Sequence, residues 1–312
     1  MKRTSTLKAG LMYGLTTLFL FFEMALQVSP SVMTTVLMHD LDLTALSLGL
    51  MSGCYFYSYA LMQIPSGVLL DRFNPKYVIS LAILICVGGC FLLAFSENML
   101  EACLARLLMG LGSSFAFVSV LVITTDLFPA KYFAILTGVT QMLAALGAMS
   151  GQFPVHFLLG RLGWRNTLLI FAAMGLFLLV AVYGYLNCEK KKWSGYSRNQ
   201  RILKPLKQTL SDSQTWTVAL YACLLWAPMS AFASLWGIPF LVHFDEISSG
   251  LAASLCSLMW LGLALGSPLL GAVASHYWTK RKGLIFSALL GAVSFALILF
   301  FPLPSSVLGG LS

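Results

Sequence analysis

The sequence predicts an all-α membrane protein: a bundle of about nine spanning helices in which the later helices begin a second copy of the first six. Three observations predict it. Of 312 residues, 59% are apolar and 10% charged, whereas soluble domains keep about a quarter of their residues charged. With a mean hydropathy of +0.86, that composition excludes most soluble enzymes. Nine apolar stretches reach the ~20 residues that a helix needs to cross the hydrocarbon core. Finally, Gly67, Asp71, Arg72 and Lys76 recur at the same intervals as Gly271, Ser275, His276 and Lys280, an offset of 204 residues, as expected of parallel repeats.

The first stretch, 11–38, follows Lys2, Arg3 and Lys8 and imitates a signal peptide. It runs on without an A-x-A site, so it reads as an uncleaved span, kinked at Pro30. The second, 46–70, leads into a charged inner loop that turns at Asn74-Pro75. The third and fourth occupy 77–95 and 99–121, and Arg106, Gly110 and Gly112 fall in the fourth. The fifth, 131–158, carries Gly138, Gly147 and Gly151, and Gly147 and Gly151 share a small face with Ala144 and Ala148 that suits close helix packing. The sixth covers 165–187 and closes an N-terminal half, 1–187. Residues 188–214, with Lys190-Lys191-Lys192, read as a cytoplasmic linker facing lipid headgroups. The incomplete second half, 215–312, holds stretches at 215–241, 248–274 and 283–301, with Pro228 and Pro239 expected to kink the first of them.

With the N-terminus in the cytoplasm, 16 of the 19 basic residues face inward, leaving Arg161 and Arg165 outside and Arg106 within a span. The outer loops then carry Asp40, Asp42, Glu97, Glu101, Asp245 and Glu246. The positive-inside rule accounts for the net charge of +8, so no nucleic-acid partner is needed. The seven cysteines lie almost all in apolar runs without a CxxC pair, and the four histidines sit at span ends. No metal site, cofactor or intramembrane enzyme is expected from that pattern.

Glu23 and Arg106 are the only charges well inside apolar stretches. At 1.5 Å per residue both lie ~18 Å from the inner side of a ~30 Å core. Each alone costs ~2.5–3.5 kcal/mol at mid-bilayer, so charges there pair or line a wet cavity. A facing Glu23–Arg106 pair is the least costly arrangement, with Gln27 one turn beyond Glu23 on the same face.

Four motifs in order carry a resemblance. Gly67-Val68-Leu69-Leu70-Asp71-Arg72-Phe73-Asn74-Pro75-Lys76 resembles the inner-loop signature of the major facilitator superfamily. Arg106-Leu107-Leu108-Met109-Gly110-Leu111-Gly112, Asp126-Leu127-Phe128-Pro129-Ala130-Lys131 and Gly163-Trp164-Arg165 resemble its later motifs. The likeness implies a twelve-helix carrier whose spans one, four, seven and ten line the solute path. It places Glu23, Gln27 and Arg106 in a substrate or proton path, with Trp226 as an aromatic wall. It makes Gly67, Asp71, Arg72, Lys76 and Asp126 a cytoplasmic gate, with Arg72 or Lys76 pairing to Asp126 and with close backbone approach at Gly67. Gln152 stands where antiporter branches place a proline, so exchange chemistry is not supported.

The resemblance implies alternating-access transport of a small solute in a bacterial inner (plasma) membrane, and Glu23, the one deep acid, is a candidate proton site. Phe22 to Pro30 resembles bacterial relatives of lysosomal dipeptide carriers; amino acids, peptides and organic anions all fit one acid and one base. Two copies of the repeat predict roughly 400 residues, so nine of twelve spans are expected here and the chain alone is expected to be a poor carrier. The alternative is a transport-inactive membrane protein serving in assembly or sensing. A ten-helix drug/metabolite carrier is opposed by the repeat, which would then fall near ~150 residues.

Overall fold

A computed structural model describes residues 6–186, 209–244, 247–276 and 280–300. The described residues form helices α1 (Thr6–Val28), α2 (Pro30–Asp40), α3 (Ala45–Arg72), α4 (Pro75–Ala94), α5 (Met99–Leu127), α6 (Phe133–Ser150) and α7 (Phe153–Tyr185). The second half contributes α8 (Ser213–Ala231), a π-helical turn (Phe232–Trp236), α9 (Gly237–Phe244), α10 (Ser249–His276) and α11 (Lys280–Phe300). Among the described residues there is no strand, and six helical runs are long and apolar enough to cross a membrane. Helices are the form in which a spanning segment satisfies its own backbone groups. The expected linker lies outside the described residues as far as 208, as do the side chains of Gly271 to Lys280.

Local chemistry sets the breaks. Pro30 has no N–H to continue α1, so the first expected span is two helices meeting at Ser29. Thr44 and Ser47 form a reciprocal capping box at the start of α3. Asn74 and Asn98 accept first-turn N–H groups of α4 and α5. The fifth expected span is α6 plus the first arm of α7, broken at Gly151-Gln152, with Pro154 harmless in the new first turn. Gly163 divides α7 at φ +75°, a left-handed conformation that only glycine adopts at no cost.

Beyond that break the next two residues act as a clamp. Trp164 Nε1 donates to Asp40 Oδ2 at 2.8 Å. Arg165 Nη1 donates to the Ala94 and Ser96 carbonyls at 3.1 and 3.0 Å, satisfying the C-terminal end of α4. The hydrogen bond from His39 and then that from Trp164 hold the Asp40 carboxyl below its ordinary range.

In the first half α5 packs along both α3 and α4, α4 along α7, and α6 along α1; α10 of the second half lies along α6. Backbone contact explains four of the five expected packing glycines. A Cβ at Gly110 would fall on the Tyr55 carbonyl and Ser58 Oγ of α3, and one at Gly112 on the Ala82 carbonyl of α4. At Gly147 and Gly151 it would strike the backbone of Phe21 and Ala25 in α1. Gly138 is different, because a Cβ there would sit 3.6 Å from Pro268 Cα, ordinary van der Waals contact. Gly110→Ala is therefore expected to destabilise the detergent-solubilised protein by ~1–3 kcal/mol through overpacking, whereas Gly138→Ala should leave the thermal midpoint nearly unchanged. Equal midpoints for the two variants would refute the assignment.

Candidate functional site

The two deep charges are both enclosed by the bundle, with Glu23 at 0% and Arg106 at 1% exposure. α1 presents Glu23, α5 presents Arg106, and α3 inserts Tyr55 where both reach it. The Tyr55 hydroxyl donates to Glu23 Oε1 at 2.8 Å. The Arg106 guanidinium carbon lies 4.6 Å from the centre of the same ring, within the range of a cation–π contact. Arg106 Nη1 also donates to the Leu26 carbonyl at 3.3 Å and lies 3.6 Å from Met109 Sδ. Glu23 Oε2 and Arg106 Nε have no hydrogen-bond partner.

The expected direct pair is corrected by this geometry. Among the described residues no ion pair joins Glu23 to Arg106, and Tyr55 serves both charges instead. The shared depth read from the sequence holds, since one ring touches both. Gln27 is buried one turn along α1 at 5% exposure. Trp226 packs edge-on against Trp260, with ring centres 6.3 Å apart.

At the Lys76 end, Asp71 closes α3 and Asp126 nears the end of α5. Partial burial, and then the Asp126 charge, hold the Asp71 carboxyl above its ordinary range. The Asp126 charge thus bears on Asp71 across the helix ends. Lys76 places its ammonium 4.4 Å from the centre of the Tyr183 ring. Among the described residues an added Cβ at Gly67 would meet nothing within 4 Å, so the expected close approach is not found there.

A second polar layer lies between Tyr55 and the Asp40 end, where the halves meet. Gln152 Nε2 donates to the Ala233 carbonyl in the π-helical turn at 2.6 Å and to Ser31 Oγ at 3.4 Å. Val28 and Ala148 of the first half pack against Ala233 and Trp260 of the second. Nearer that end Trp236 approaches Gly49, and His156 approaches Gly250. The sequence singled out Gln152 only as a departure from a motif and did not single out Tyr55 or Trp260. A tyrosine at the depth of two buried charges was the available signal.

The sequence profile of the Major Facilitator Superfamily matches residues 14–312. The chain belongs to this superfamily. It is 31% identical over 159 residues to an uncharacterized transporter of Bacillus subtilis, a match covering 51% of this chain and 37% of that protein. It is 28% identical over 163 residues to a protein of Cupriavidus necator named as a probable sulfoacetate transporter, covering 52% of this chain and 38% of that one. The aligned region is thus well under two thirds of these relatives' length. The fold resembles a bacterial homologue of the human lysosomal transporter Spinster, crystallised inward-facing and occupied. That likeness has a TM-score of 0.70 at 20% identity and covers 89% of this chain and 63% of that one. The protein is thus an integral, multi-pass member of a transporter superfamily.

Two outcomes follow from the site. Tyr55→Phe keeps the ring under Arg106 but leaves both Glu23 oxygens without a partner, so the thermal unfolding midpoint should fall by the equivalent of ~1–3 kcal/mol; no change would contradict the hydrogen bond. For Asp71, the folded chain holds a proton that the unfolded chain has already released between the ordinary value of 3.8 and the raised one. Stability should therefore rise as pH falls through that window, by under ~0.5 kcal/mol for so exposed a group. Asp71→Asn should lose that rise in thermal melts run against pH.

Proposed function

We propose that this protein is a secondary carrier of a small organic anion, working by alternating access with its N-terminus in the cytoplasm. The observation that carries the reading is the layer in which α1, α3 and α5 converge on Tyr55. Arg106 offers guanidinium N–H groups beyond those used on Leu26, and a planar fork of donors suits a carboxylate or sulfonate. The probable sulfoacetate transporter among the relatives supports an anion over a neutral sugar.

In the proposed cycle Glu23 binds a proton and its hold on the Tyr55 hydroxyl weakens. The ring and the guanidinium then rearrange together, and Arg106 turns its free donors to the anion. Asp71, Arg72, Lys76 and Asp126 form the gate at the cytoplasmic end. That gate closes and opens through exposed charge contacts worth ~0–1 kcal/mol each, which suits a contact that must break in every cycle. The sidedness rests on the distribution of basic residues, so an impermeant thiol reagent reaching a cysteine at position 195 from outside would overturn it.

The proposal is tested in two steps, the first with the purified chain. Sulfoacetate binding by calorimetry should be lost, or weakened at least ~10-fold, in Arg106→Ala, as expected for removal of a buried charge-assisted contact. In proteoliposomes of a version carrying all twelve expected spans, Glu23→Gln should abolish accumulation driven by a proton gradient and spare exchange. Wild-type binding and transport in both variants would sink the reading. Absence of binding in the wild type, with all variants folded, would favour a role in assembly or sensing.

A further inference from the structure

The layer joining the two halves holds a contact that the motifs do not explain. Gln152 lies at the break between α6 and α7 with φ −109° and ψ −84°, outside helical geometry. That conformation carries its side chain across to the second half. Gly151, backed against the Ala25 backbone, fixes the break from behind. The amide reaches the carbonyl of Ala233 at 2.6 Å, inside a π-helical turn. Such turns interrupt the regular hydrogen-bond ladder and recur at functional positions.

The surroundings of this bond are polar and unsatisfied. Gln152 Oε1, Ser234 Oγ, Ser257 Oγ and Trp260 Nε1 are all buried without a hydrogen-bond partner. Ser257 precedes Trp260 by one turn of α10, and Trp260 packs on Ala233 and Ala148. The Gln152 amide bonds across this seam beside the apolar packing of Val28, Ala148 and Trp260, and the seam leaves acceptors and donors that water would serve better. Its polar part is therefore ready to be wetted.

We propose that Gln152 is the positioning residue of the gate at the Asp40 end. Its amide ties the first half to the π-helical turn of the second while that end is shut, and releases when water enters to the four unpartnered groups. The proposal rests on the alternating-access reading, and the test separates the two.

Single-cysteine reporters at Ser257 (α10, inside the seam) and Ser66 (α3, near the Lys76 end) are placed on a background without the native cysteines. Both serines are buried, at 3% and 0% exposure. The rate of reaction with an impermeant maleimide is measured from each side of proteoliposomes for the parent and for Gln152→Met, which fills the same space but cannot donate. The expected result is labelling at Ser257→Cys faster by about fivefold, the shift given by losing one net hydrogen bond, with slower labelling at Ser66→Cys. Faster labelling at Ser257→Cys with no change at Ser66→Cys would uphold the gate and remove the alternating-access reading. Parental labelling at Ser257→Cys in folded Gln152→Met would overturn the gate and leave alternating access standing. If Gln152→Met does not fold, Gln152→Asn, one methylene too short to reach Ala233, is read by the same criteria.

Discussion

A carboxyl and a guanidinium held inside an apolar bundle, with one tyrosine serving both, form the constraint around which the rest is arranged. Each charge is expensive in a membrane unless it finds partners. Direct pairing would satisfy the two in one stroke and fix them. Tyr55 satisfies them separately, with its hydroxyl on Glu23 and its ring face under Arg106. One oxygen and one nitrogen are left unpartnered. The result is an acid and a base that share a neighbour and can each still accept another ligand.

The close packing around this layer serves the same end. Gly110 and Gly112 bring α5 against α3 and α4, which sets Arg106 and Tyr55 within reach of each other. Gly147 and Gly151 bring α6 against α1 and so fix the break from which Gln152 crosses to the second half. The interface between the halves is apolar at Val28, Ala148 and Trp260 and polar at Gln152. Packed layers of this sort have discrete arrangements rather than a continuum.

The composition, the break at Pro30 and the common level of Glu23 and Arg106 were legible in the sequence, because each depends on chain position alone. The break at Gly151-Gln152 was not, and the fifth expected span ran through it. Azimuth was not legible. Tyr55, Tyr57 and Tyr59 share one helix, yet Tyr55 is fully buried and Tyr57 is 62% exposed. The same ignorance of facing direction made a direct Glu23–Arg106 pair the natural expectation. The reach of Gln152 depends on a non-helical break and a π-helical turn meeting across the halves, which no local pattern encodes.

The measurement that bears most directly on the central claim is a double-mutant cycle on Glu23→Gln and Arg106→Met, run by thermal unfolding with Tyr55 present and again in Tyr55→Leu. If the acid and the base communicate through the tyrosine, they should couple by at least ~0.5 kcal/mol, as contacting residues of one network do, and the coupling should vanish in Tyr55→Leu. Coupling that survives the loss of Tyr55, or additivity with Tyr55 in place, would contradict the account.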